Sequence, residues 1–190
     1  MERTLQGNQR ITGRMAHISL LSGLVWGLIG GFAGTMVMDL VLMGAFSALG
    51  SPATTCFSIV GNTVGRFFSL KGVDMARSIQ LGILTHYLVG PLIGTIFGTI
   101  VARVERLRKS TLKKIILMAI VYVEILSQPL LATTPILLKM TVPATLEWYG
   151  GSCVVHMIVG VILGSVVGYG LRQESASRSE PVRIHHIEKS

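Results

Sequence analysis

The sequence predicts an all-α integral membrane four-helix bundle built from two parallel helical-hairpin repeats. Three observations carry that prediction: the composition, four long apolar runs, and a histidine–glycine pattern that occurs twice. Of 190 residues, 50% are hydrophobic and only 14% charged, with a mean hydropathy of +0.62, which is more apolar than a water-soluble domain of this size. Crossing a hydrocarbon core of about 30 Å takes roughly 20 helical residues, and four runs reach that length.

The first run spans about 18–49 and is longer than one crossing needs, so its beginning is expected to tilt or to lie along the membrane surface. The basic residues ahead of it invite comparison with a secretory signal. The run is too long for that and no small-residue cleavage site ends it, so an uncleaved helix is the expectation. The second run covers 79–102, the third 115–138 and the fourth 151–171. Between the first two lies a long external loop, 50–78, in which Phe57, Ile59, Val60, Val64, Phe67 and Phe68 predict a short amphipathic helix in the membrane interface. Residues 1–17 are read as a cytoplasmic segment. Residues 172–190 are read as a disordered cytoplasmic tail, where the His185-His186 pair is more simply part of a solvated basic stretch than a metal site.

Basic residues set the orientation. Arg3, Arg10 and Arg14 precede the first helix, Arg103 to Lys114 fill the link between the second and third, and Arg172, Arg178, Arg183 and Lys189 follow the fourth. The other side carries only Arg66, Lys71, Arg77 and Lys139. The positive-inside rule therefore puts both termini and the middle link in the cytoplasm of a multi-pass protein of the cell membrane. The same distribution accounts for the net charge of +8. It also removes nucleic acid as a partner, because the cations flank apolar spans instead of clustering with aromatics on one face.

The repeat is read from two stretches, HYLVGPLIGTIFG at 86–98 and HMIVGVILGSVVG at 156–168. His86, Val89, Gly90, Gly94 and Gly98 match His156, Val159, Gly160, Gly164 and Gly168, with Pro91 opposite Val161 as the main departure. Residues four apart lie on nearly one face of a helix. Glycines on that face let helices approach closely where lipid supplies no hydrophobic drive, so the stripe is expected to face protein and to carry its histidine inward. The first helix has a related stripe in the reverse direction, Gly23, Gly27, Gly31, Thr35 and Asp39. The third lacks glycines but carries Glu124, with Gln128 one turn further on.

Asp39 and Glu124 are the carboxylates within the four predicted spans, where a charge costs about 2.5–3.5 kcal/mol on insertion scales. Depth arithmetic allows Asp39, His86, Glu124 and His156 one shared layer in the outer half of the bundle. Two imidazoles and two carboxylates are a ligand set for a divalent transition metal such as zinc, copper or iron, and Cys153, three residues before His156, would favour zinc or copper. Three alternatives use the same residues. Each acid forms a structural hydrogen-bonded pair, with Pro91 and Pro129 freeing carbonyls nearby; the two histidines ligate a haem; or the groups form a proton or cation relay in a transporter.

Cys56 and Cys153 fall near the external side and suit either a disulfide or two buried thiols. Met36, Met38 and Met43 around Asp39 read as packing. No nucleotide loop, nucleophile elbow, redox dithiol or HExxH motif occurs, so no particular reaction is indicated. The GFAGTMVMD stretch and the two HxxVGxxxG helices resemble small prokaryotic four-helix membrane proteins of unassigned function. That resemblance covers the bundle and implies its fold, but no activity. Function is thus expected to be cation binding by the polar cluster. The competing expectation is an accessory subunit that packs against other membrane subunits, or against a second copy, through glycine faces.

Overall fold

The computed structural model describes residues 2–75, 77–108 and 110–179, with side chains described over 20–75, 77–108 and 110–177. Among the described residues six helices follow in chain order: α1 Glu2–Ala48, α2 Thr55–Ser69, α3 Ile79–Arg103, the single turn α4 Glu105–Arg108, α5 Leu112–Leu138 and α6 Val142–Ser179. Four are long and apolar enough to cross a membrane, over Leu20–Ala48, Ile79–Arg103, Leu112–Leu138 and Val142–Ser177.

Local chemistry sets the boundaries. Ser78 caps α3 by accepting from the Leu81 N–H. Lys139 ends α5 in the left-handed region at φ 53°, and Met140 N–H donates to Pro135 O across the turn. Gly50, at φ 75°, supplies the turn that releases the chain from α1. α6 begins at Val142, nine residues before the predicted 151, because Pro143 sits in its first turn, where a missing N–H costs no helical bond. It also continues past Leu171 to Ser179, so the segment taken as tail is helical that far; His185 and His186 lie outside the described residues.

The packing order differs from the chain order. α3 packs on α1, α1 on α6 and α6 on α5, whereas α3 and α5 barely meet. The four spans thus form a curved row, α3–α1–α6–α5, and its two ends are joined in two places. At mid-height the Tyr122 hydroxyl of α5 donates to Ile93 O of α3 at 3.0 Å, and its ring packs against Phe97. At one end of the bundle, α2 lies on α3 and reaches across to α5. The fully buried side chains Val101, Ile115 and Val167 lie in the half of the row away from the cavity, and fully buried Leu163 stands at its boundary.

The outward faces are apolar. On α3, Leu84, Leu88, Leu92 and Ile96 form an exposed stripe at four-residue spacing, each at least 44% exposed. Turned the other way, Gly90, Gly94 and Gly98 meet Gly31, Gly27 and Gly23 of α1. Small residues within and large aliphatic ones without is the pattern of helices surrounded by lipid. In α6 the corresponding Gly160 and Gly164 sit on the backbone of Ile120 and Ile116 in α5, and Gly168 sits against the Leu112 side chain. Both glycine rows therefore face protein, as their spacing predicts, and in each case the neighbour is the preceding long helix.

Candidate functional site

The half of the row that carries α2 is not filled by side chains. A cavity of about 510 Å³ lies there, walled by α1, α2, α3, α5 and α6. Met38, Leu42 and Phe46 line it from α1, Ile59 and Val60 from α2, Val89 and Ile93 from α3, Leu131 from α5, and Val155 and Trp148 from α6. The wall is mainly hydrocarbon, with a few hydroxyls, His86 and His156 among it. Leu49 and Glu147, both exposed, line the rim, so the space reaches the surface at the α2 end.

α2 is the cover. Its Gly61 lies against Ser78 O and the α3 Gly82 lies against Phe57 O, so each glycine admits the other helix's backbone. On the other edge, the Thr63 hydroxyl donates to Thr134 Oγ1 at 3.3 Å and Arg66 Nη1 donates to Leu137 O. Phe57 is buried and meets the His86 ring edge-on, with centroids 5.5 Å apart. The hydrophobic residues expected to lie in the membrane interface therefore divide. Phe57, Ile59, Val60 and Val64 face the cavity or the core, and Phe67 and Phe68 stay exposed.

Of the four residues predicted to share a site, the structure brings two into direct contact. His86 Nδ1 and Asp39 Oδ1 are 2.7 Å apart, with the carboxylate 3% exposed and the imidazole 12%. Asp39 Oδ2 makes no hydrogen bond among the described residues, although Tyr87 lies beside the carboxylate. On the other hairpin, Glu124 Oε2 accepts from Gln128 Nε2 at 3.3 Å, and Cys153 lies next to the same acid. Glu124 Oε1 and His156 Nδ1 are both buried without a partner. His86 and His156 line the cavity, while Asp39 and Glu124 stand behind its wall.

The expected four-ligand metal set is thus not assembled. Among the described residues no three of His, Cys, Asp or Glu form a group placed to hold a metal ion. The pairing explains it. Asp39 is taken up by His86 of α3, whereas Glu124 bonds Gln128 of its own helix. The sequence offered two lone acids and two histidines but no signal of which partner each acid takes.

Cys56 and Cys153 are free thiols rather than a disulfide. Burial, and then the nearby Asp39 charge, pushes the Cys56 thiol up to about 11, so it is protonated and unreactive at neutral pH. Sequence reasoning placed Thr35 on the inward stripe but missed the hydroxyls Thr63, Ser127 and Thr134; all four are buried and line the cavity. Several are already committed to carbonyls one turn earlier, Thr35 to Gly31 O and Ser127 to Glu124 O. Comparison of the chain with protein-family models, with characterised proteins and with solved structures finds no match.

Proposed function

We propose that this multi-pass membrane protein binds a bilayer-soluble amphiphile in the cavity beneath α2, with His86 and His156 as its polar contacts. The observation that carries this reading is the cavity itself: about 510 Å³ of mainly apolar space reaching the surface. Sites of a few hundred Å³ with apolar walls and a few convergent polar groups suit small organic ligands. An apolar space left empty forfeits the dispersion contacts of every side chain around it, and water gains little there. A molecule already dissolved in the membrane enters such a space without leaving an apolar medium.

The two imidazoles differ in what they offer. His86 is oriented by Asp39 through Nδ1, so its Nε2 is the ring nitrogen left to meet a ligand. His156 keeps a buried Nδ1 without a partner, which a ligand hydroxyl or carbonyl would satisfy. The role is binding and sequestration, with α2 as the cover. The surrounding membrane is the cell membrane with both termini and α4 on the cytoplasmic side, on the charge distribution described above.

The test is mass spectrometry of what stays bound when the protein is extracted and purified in mild detergent. One amphiphile per chain is expected, and Val89→Phe, which fills the cavity from α3, should release it. Purified protein that retains none, with identical behaviour in the variant, overturns the reading.

A second reading, a cation held at Asp39–His86 or at Glu124–His156, is favoured by the orphaned buried atoms of Asp39, Glu124 and His156. Metal analysis of the wild type against the His86→Ala, His156→Ala double variant decides it. Stoichiometric zinc, copper or iron lost in the variant supports a metal, and none in either removes it.

A further inference from the structure

We propose that Arg66 and Arg77 form a headgroup site for an anionic phospholipid whose acyl chain occupies the cavity. The inference rests on the amphiphile reading and names its ligand class. A second recess, of about 340 Å³, is lined by Arg66, Ser69, Leu70, Arg77 and Leu137. It adjoins the first by register. Thr63 and Thr134 bond to each other in the cavity wall, and Arg66 and Leu137 follow them by three residues on α2 and α5. The recess is therefore one helical turn, about 5 Å, beyond the cavity.

The Arg66 guanidinium and the Arg77 stem are both held against the protein. Arg66 is anchored through Nη1 to Leu137 O, which leaves the rest of its five N–H donors for a ligand. The Arg77 stem runs beneath α2 at Gly65, where an added Cβ would lie 2.7 Å from Arg77 Cγ. Among the described residues no carboxylate stands within 4 Å of either group. This end of the molecule holds few cations, Arg66, Lys71, Arg77 and Lys139, and two of them meet in one recess beside an apolar cavity. Unneutralised guanidinium forks there match a phosphate in charge and geometry, and basic recesses between membrane helices hold anionic headgroups. Free phosphate shares the headgroup chemistry but has no use for the cavity.

The experiment uses the full chain in detergent and compares binding of phosphatidylglycerol, of phosphatidylcholine with the same acyl chains, and of inorganic phosphate, by native mass spectrometry and thermal shift. Phosphatidylglycerol is expected to bind about tenfold more tightly than phosphatidylcholine, the scale of one charge-assisted hydrogen bond. The Arg66→Gln, Arg77→Gln double variant, or Arg77→Gln alone if the double variant is poorly folded, should bind both lipids equally, at or below the wild-type phosphatidylcholine level. A preference that survives both variants, or equal binding of the two lipids by the wild type, overturns the headgroup site and leaves the cavity reading standing. Inorganic phosphate that protects as well as phosphatidylglycerol, and does so in Val89→Phe as well, marks a free-anion site and also overturns it. Failure of the wild type to bind either lipid overturns the headgroup site, and the amphiphile reading is then decided by whether another molecule co-purifies with the chain.

Discussion

The two hairpins repeat a glycine pattern but use it differently. In α1 and α3 both helices carry the glycines, and each admits the other's carbonyls: an added Cβ at Gly27 or Gly94 would run into the other's oxygen. Backbone meeting backbone favours weak Cα–H···O contacts and close approach, and one turn beyond this seam Asp39 reaches His86. In α5 and α6 only α6 has glycines, and they rest on Ile120, Ile116 and Leu112. There Glu124 bonds within its own helix and His156 is left with an open nitrogen. The same motif thus accompanies a joined acid and imidazole in one hairpin, and an acid and an imidazole that each keep a buried unpartnered atom in the other.

The largest way to break this difference is to remove the close approach. Gly94→Ala should destabilise strongly, by about 1–3 kcal/mol or more, since Gly27 backbone has nowhere to go. Gly168→Ala should cost much less, because the nearest atom is the end of the Leu112 side chain. Thermal unfolding of the two variants in detergent gives the ranking directly.

Next come the histidines. His86→Ala leaves a buried carboxylate with neither oxygen partnered and should cost about 3 kcal/mol, the scale of breaking a buried pair. His156→Ala should leave the delipidated protein's unfolding temperature nearly unchanged, because Nδ1 has no partner to lose. It should nonetheless weaken amphiphile binding, a split between stability and binding that a purely structural histidine would not show.

Removing the orphaned acid sharpens the contrast further. Glu124→Gln should leave the unfolding temperature unchanged or raise it, since a buried unpartnered carboxylate oxygen is a cost, whereas Asp39→Leu should lower it. The smallest effect is chemical. Iodoacetamide alkylation of Cys56 in a Cys153→Ser background should be negligible at pH 7 and rise as pH climbs toward about 11, because only the thiolate reacts and burial disfavours it. Rapid labelling at pH 7 would mean that α2 does not cover the site.

Much of this was legible in the residues. Apolar length gave the four helices, and four-residue glycine spacing gave the faces that meet, because small residues are informative wherever backbones must approach. The inward position of both histidines followed from the same stripes. Gly23, Gly27 and Gly31 on the first helix likewise point at the seam and carry Asp39 toward it. The row order α3–α1–α6–α5 did not follow, because which non-adjacent helices touch depends on side-chain fit that no period records. The cavity was equally hidden: it arises where Tyr122 and α2 hold α3 and α5 together while nothing between them fills the space. Nor did α2 announce itself as a cover, since Phe57 and Phe68 read alike in sequence and differ only in which side of the helix meets α3.

The most direct test is an experimental structure of the full chain in lipid nanodiscs containing phosphatidylglycerol. Elongated density beneath α2, running from Arg66 and Arg77 to within hydrogen-bonding reach of His86 or His156, is the predicted result. A cavity closed by α3 moving onto α5, or one holding only water with both histidines satisfied by protein, would contradict it.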